Sequence, residues 1–237
     1  MIYGMGRRNW NQYFAVGVDP TNVAKDFIDL AKPCKTIATG AKITQISAGF
    51  NHAVYVLDDN RVYCSGFNYY GQCGLSNLHT EILDKYAEVE IPLDNGELVK
   101  EVACGYNHNI LLTSNNRVFF WGNVTKNQFP GFLEKYGKGL TFAGPVEMEL
   151  PLEGGEFPIR VKASFNRSLV FLSSSRVLAI GGENTTFWYG LPALAYEDIS
   201  AEFKDRGLQI KDAALGLWHS AVIASPIEQS NPTSTHS

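Results

Sequence analysis

Three of the five histidines stand at the same short spacing from a small residue: Gly49-Phe50-Asn51-His52, Gly105-Tyr106-Asn107-His108 and Gly216-Leu217-Trp218-His219. Three imidazoles with an open fourth position are the donor set of a catalytic zinc. Asp58-Asp59 and Glu153 offer carboxylates for acid–base work, and Cys64 and Cys104 offer thiols. Each of these chemistries requires groups that converge on one point. Whether they converge depends on the elements that carry them.

Those elements repeat. Gly49, Gly105, Ser164 and Gly216 lie at equivalent places, spaced 56, 59 and 52 residues apart, and Gly40, Gly96, Gly155 and Gly207 precede them with the same spacings. Gly66, Gly122 and Gly181 close the second apolar run of each copy, and Pro92-Leu93 matches Pro151-Leu152. Within a copy, short runs such as Ala53–Leu57 and Val62–Cys64 are β-branched, aromatic and aliphatic. They flank Asp58-Asp59-Asn60-Arg61, Ser114-Asn115-Asn116-Arg117 or Ser173-Ser174-Ser175-Arg176. Asn and Asp accept positive φ and suit a tight hairpin, and Ser does so less well. Each copy reads as a strand ending at the Gly, a hairpin pair, a longer connection and a last strand such as Glu88–Ile91 or Val146–Leu150. A four-stranded unit at roughly this period is a β-propeller blade. Helical solenoids have similar periods but need a 3.6-residue apolar rhythm, which these copies lack. We expect helix only in inserts, around Val23–Leu30 and Leu194–Phe203.

The ends fit each other. The fourth copy stops at Ser225, at the equivalent of Asp58, and "MIYGMGRRNWNQ" aligns with "RVYCSGFNYYGQ", Gly6 with Gly66 and Gln12 with Gln72. The expected fold is all-β, a propeller of about four four-stranded blades. It would close by pairing N- and C-terminal half-repeats, or remain an arc that another chain completes. Residues 1–225 are expected to form this single domain and 226–237 a flexible tail.

"GFNHAVYVLDDNRVYCSGFNYYGQCG" resembles the repeat of the regulator of chromosome condensation family, G-x-x-H-[ST], strand, D-G turn, V-Y-x-W-G-x-N-x-x-G-Q-L-G. Gly49, His52, Val62, Tyr63, Gly66, Asn68, Gly71, Gln72 and Gly74 match in the first copy. Gly105, His108, Val118, Trp121 and Gly122 match in the second, and Gly216, His219 and Ser220 in the fourth, with Gly6, Asn9 and Gln12 from the N-terminus. The third copy departs, with Ser164 for Gly and Arg167 for His. The D-G turn has lost its Gly, and the best-known members have seven blades. The resemblance implies a propeller. By the founding member it also implies exchange activity on the small GTPase Ran with chromatin binding; other members are interaction scaffolds, regulators of trafficking or subunits of ubiquitin ligases and larger complexes. No exchange-factor loop residue aligns here.

The histidines then occupy one position in successive blades, so their surroundings are equivalent rather than convergent. We read Gly49, His52, Gly66, Gly105, His108, Gly122, Gly216 and His219 as architecture. Asp58, Asp59 and Glu153 fall at hairpin tips or connections, where solvated acids are ordinary, and Cys64 falls on a strand. We expect no catalytic residue, cofactor or metal. Aromatic residues on long connections, Phe129, Phe132 and Tyr136 on one and Trp188 and Tyr189 on another, are the candidate partner surface, since loops on a rigid frame carry function.

A net charge of −4 and scattered Lys and Arg argue against direct nucleic-acid binding. No apolar run approaches the roughly 20 residues of a membrane helix, and the opening "MIYGMGRRNW" does not read as a secretory signal. The four cysteines show no CxxC spacing and are expected as free thiols. The expected role is a non-enzymatic protein-interaction scaffold or complex subunit in the cytoplasm or nucleus. The alternative is an exchange factor for a Ran-like GTPase.

Overall fold

Asn60, Asn116 and Ser175 sit at φ 70°, 61° and 70°, and each closes a hairpin in a different sheet. A computed structural model describes residues 40–75, 83–125, 129, 141–182, 196–216 and 219–228. The first blade holds β1 (Ile43–Ala48), β2 (His52–Leu57), β3 (Val62–Gly66) and β4 (Leu83–Val89). The second holds β5 (Val99–Cys104), β6 (His108–Thr113), β7 (Val118–Asn123) and β8 (Thr141–Glu147). The third holds β9 (Pro158–Ser164), β10 (Arg167–Leu172), β11 (Val177–Gly181) and β12 (Glu197–Asp198). Each is a four-stranded antiparallel meander in sequence order. A fourth sheet pairs β13 (Leu208–Leu215) with β14 (Ser220–Pro226).

The register repeats as the sequence does. His52 faces Gly66, His108 faces Gly122 and Arg167 faces Gly181 across the central hairpins. Strands β2, β6 and β7 are buried along their whole length. That is why they read as apolar runs rather than as alternation: neighbouring sheets cover both faces. Val54, Val56, Cys64, Ile110, Leu112, Phe120, Val161 and Val170 share one core that crosses three blades. Leu169, Phe171, Val177 and Ala179 use the other face of the third blade to pack on Ile210 and Ala213 of β13. Ala53, Tyr55, Leu57 and Tyr63 form a buried cluster on the first blade's opposite face.

Two expectations change. The outer strands come earlier than Glu88–Ile91 and Val146–Leu150. The amide of Leu93 donates to Ile91 O (2.8 Å) and that of Leu152 to Leu150 O (2.9 Å), so the chain turns tightly around Pro92 and Pro151 instead of extending. Pro145 lies inside β8, where an outer strand tolerates its missing N–H. The helix expected over Leu194–Phe203 is a single turn, α1 (Ala201–Lys204), preceded by β12. The N-terminal half-repeat and the Val23–Leu30 segment lie outside the described residues, and so does the expected tail beyond residue 228.

Candidate functional site

The repeated histidines are placed by steric fit. A Cβ built on Gly49 would lie 2.2 Å from His52 Cε1, and one on Gly105 2.1 Å from His108 Cε1. The imidazole lies directly on the glycine backbone, and no larger residue leaves it room. His52 Nε2 is 2.7 Å from Asn109 Oδ1 in the next blade. The Asn109 amide nitrogen is already spent on Gln72 O (2.8 Å), so His52 is the donor. The Gln72 carbonyl also accepts the Trp121 indole N–H (3.1 Å), which fastens the Gly71–Gly74 turn to the second blade. His108 Nε2 lies 2.9 Å from Ser168 Oγ in the third blade. Each imidazole therefore bridges one seam, and the two do not meet on a common centre. His219 is exposed, and the residues expected to flank it lie outside the described set. Among the described residues, no group of three or more His, Cys, Asp or Glu is placed to hold a metal.

Burial pushes His52 down to about 4 and His108 to about 3 from an ordinary 6.5, and neither Nδ1 has a hydrogen-bond partner. The sign follows. An unfolded chain takes up these protons below pH 6.5 and the folded one refuses them, so stability is full above 6.5 and falls as the pH drops toward 4. The urea midpoint should decline between pH 6.5 and 5, by up to about 1.4 kcal/mol per pH unit for each histidine. His52→Gln should flatten that slope, and a flat profile in the unmodified chain would contradict the burial argument.

The other chemistries dissolve on inspection. Asp59 is exposed and bonded to Arg61, and Glu153 is an exposed partner of Arg176 at 3.3 Å. Asp58 Oδ1 accepts the Lys42 amide at 2.9 Å. Cys64, Cys73 and Cys104 are buried free thiols. Burial raises the Cys64 thiol and pushes Cys104 up to about 12, so neither supplies a thiolate at neutral pH.

One end of the blades carries a surface that the sequence reading overlooked. Phe50, Tyr106 and Phe165 each follow the repeated Gly or Ser. Phe50 and Tyr106 stack at 4.1 Å between centroids, 12° from parallel, and Tyr106 meets Phe165 edge-on at 5.4 Å. The backbone steps along with them: the Phe50 amide donates to Tyr106 O (3.3 Å) and the Tyr106 amide to Phe165 O (2.6 Å). Phe67 is tied to the same end, its amide donating to Asn51 O at 2.7 Å. Phe67, Tyr69 and Tyr70 form a second aromatic group there. Phe50 is 50% exposed and Tyr69 53%. The available signal was an aromatic residue at one repeat position in three copies.

Of the aromatic residues proposed from the connections, Phe129 is 7% exposed and packs on Phe142 (4.8 Å) and Phe120 (5.6 Å). It belongs to the core, packed between β7 and β8, and is not exposed to a partner. Phe132, Tyr136, Trp188 and Tyr189 lie outside the described residues.

The family model described as Regulator of chromosome condensation (RCC1) repeat matches residues 43–72 and 99–128, and a second model of that description matches residues 59–112. Residues 43–128 carry RCC1 repeats. The matched segments span the first blade and β5–β7 of the second, where the Gly–His seams and the Gly71–Gly74 turn lie. In sequence the chain is 35% identical over 86 residues to the Arabidopsis thaliana ultraviolet-B receptor UVR8, a match over 36% of this chain and 19% of that protein. It is 33% identical over 81 residues to the human RCC1-like G exchanging factor-like protein, over 34% of this chain and 18% of that one. Each of these matches thus spans less than a fifth of the relative. Among solved structures, human WBSCR16 superposes with a TM-score of 0.64 at 20% identity, over 78% of this chain and 46% of that one. Prp20p from Saccharomyces cerevisiae gives 0.63 at 18%, over 78% and 44%. These likenesses place the RCC1 repeats of this chain in a β-propeller.

Proposed function

We propose that this chain is a non-enzymatic interaction scaffold, a propeller unit over residues 1–225 that presents its aromatic end to a protein partner inside the cell. The observation that carries this reading is the ring row Phe50–Tyr106–Phe165, mounted on three blades, with Phe50 and, in the Phe67–Tyr69–Tyr70 group, Tyr69 half-exposed. Large rigid aromatics lose little entropy on binding and dominate interface energies. Membrane insertion has no support in the helices: among the described residues none is long and apolar enough to cross a bilayer.

The second reading is nucleotide exchange on a Ran-like small GTPase. It is favoured by the likeness to the human RCC1-like G exchanging factor-like protein and to Prp20p, a protein with reported binding properties toward Gsp1p and histones. One preparation separates the two. The tagged chain and its Phe50→Ala/Tyr69→Ala variant are compared by affinity capture with quantitative mass spectrometry and by release of labelled nucleotide from a Ran-like GTPase. We expect the variant to keep a cooperative melt several degrees below the parent, since it loses the Phe50–Tyr106, Phe67–Tyr69 and Tyr69–Tyr70 pairs, each worth roughly 0.5–1.5 kcal/mol. Partner recovery should fall about tenfold or more, the loss of two exposed anchors. Equal recovery by both forms would remove the aromatic end from the account. Accelerated nucleotide release would establish the exchange reading instead.

A further inference from the structure

A cleft of about 670 Å³ opens on the outer rim between the first two blades. Its walls are the outer strands β4 and β8. Among the described residues each pairs with a neighbour on one side only, as the last strand of its sheet. Gly74 and Leu75 supply its floor; Gly74 ends the run Gly71-Gln72-Cys73-Gly74, which occurs once in the chain and is otherwise buried beneath them. Gly71 and Gly74 are both left-handed, at φ 71° and 70°. A Cβ on Gly71 would lie 2.6 Å from Phe142 O of β8, and one on Gly74 2.6 Å from Val89 Cγ1 of β4. The turn is thus wedged against both walls and fixes their separation.

The lining is apolar on one side and acidic on the other. Leu75, Ile91 and Pro145 supply apolar surface, and the exposed Glu88 and Glu90 stand two residues apart. Glu88 accepts the Tyr63 hydroxyl at 3.0 Å. Around the rim, Asp94, Glu97 and Glu147 converge on one guanidinium, Arg117, and Asp59 holds Arg61. Among these described side chains carboxylates outnumber cations, in a chain whose net charge is −4.

We propose that this cleft docks an extended basic segment of a partner protein, one that alternates Lys or Arg with aliphatic residues and lies along the open edge of β4. Strand geometry sets the alternation: side chains two apart share a face, so cations reach Glu88 and Glu90 while the aliphatic residues reach Leu75, Ile91 and Pro145. The backbone of the added segment satisfies edge groups that no strand of the sheet uses. This surface is separate from the aromatic end and does not depend on it.

The test uses the full chain and two fluorescent peptides of equal length, one alternating Lys with Val and one alternating Glu with Val. The Lys peptide should bind in low salt and weaken with added salt, and the Glu peptide should not bind. Glu88→Gln/Glu90→Gln should weaken the Lys peptide roughly tenfold, the loss of two rim charges. Phe50→Ala/Tyr69→Ala should leave it unchanged, so that failure here and failure of the aromatic end are told apart. Hydrogen exchange should slow at residues 86–89 in the complex. Equal binding of both peptides, or Lys-peptide binding indifferent to the Glu88/Glu90 change, would overturn the proposal. So would self-association of the chain that depends on those two residues, which would assign the cleft to a second copy.

Discussion

Gly105→Val will not give a cooperatively folded protein. A Cβ at this position would stand 2.1 Å from His108 Cε1, 2.5 Å from His108 Nδ1 and 2.7 Å from Phe165 O. The first two contacts displace the imidazole that bridges to Ser168, and the third pushes on the backbone of the next blade. Overpacking a well-filled site costs roughly 1–3 kcal/mol and sometimes more. Here a seam hydrogen bond is lost as well, so the total approaches a large share of the ~5–15 kcal/mol that holds a domain together. The readout is near-ultraviolet circular dichroism with a thermal melt. Gly105→Ala combined with His108→Ala should recover part of the transition, because the Phe165 O contact remains. Gly216→Ala is the control: the nearest atoms its Cβ would meet are those of the His219 ring, from 2.9 Å, and that side chain is exposed and can swing aside. A normal melt for Gly105→Val would remove the seam packing from the explanation of the fold.

Arg117→Met should cost about 3–5 kcal/mol, the penalty for stranding a buried charge. Glu97 is 3% exposed, and Arg117 is its cation: Nε donates to Oε1 at 3.1 Å and Nη2 to Oε2. The same guanidinium reaches Glu147 Oε2 (3.0 Å) and Pro92 O (2.9 Å) and lies over the Phe119 ring. Arg117 holds the Glu97 carboxyl down to about 2 from an ordinary 4.5. A depressed carboxylate stabilises above its unfolded value and loses that contribution as the pH falls through its folded value. The deficit of Arg117→Met should therefore be full above pH 4.5 and shrink toward pH 2, as read from urea unfolding at several pH values. Adding Glu97→Gln to Arg117→Met should restore much of the loss, since no buried charge is then left unpaired. A deficit independent of pH would mean that the packing over Phe119, and not the ion pair, is what the arginine supplies.

The third blade repeats this arrangement, with Arg176 between Glu156 and Asp198. The first does not: Ala41 stands where Glu97 and Glu156 stand, and Arg61 turns to the exposed Asp59. The corresponding change at Arg61 should do little. The arginines were visible in the sequence as the residue after each turn, but their partners were not. Glu97 lies 20 residues before Arg117, across a strand and a hairpin. Nothing local marks that pairing; it arises only when the meander folds back.

Other features were legible because they are local. Hairpins at Asn60 and Asn116 follow from residues that accept positive φ, and the Gly–His register follows from the spacing of the copies. The reason for the glycine was not legible. Gly105 is not required for an unusual backbone conformation, since its φ is not positive. The positive values belong to Gly66 and Gly122, both at 104°. At Gly105 the requirement is proximity to a ring three residues on. Phe129 and Phe50 show the same limit in opposite directions. A loop aromatic folded into the core, and one beside a structural histidine stayed at the surface. Side-chain type alone does not say which.

The seams also fix how strain spreads. Asn60 takes the Val99 amide (2.7 Å) and donates to Glu97 O (3.0 Å), the Cys104 amide donates to Ser47 Oγ (2.9 Å), and Val161 donates to Glu101 (2.8 Å). These ties join adjacent blades, so energetic coupling decays stepwise along the array. The second blade, clasped from both sides, then becomes the slowest to open. The β13–β14 pair, whose Ile223 faces solvent, becomes the place where opening begins. A partner that grips this pair therefore acts as a latch: it slows the loss of the blades joined to it while touching the pair alone.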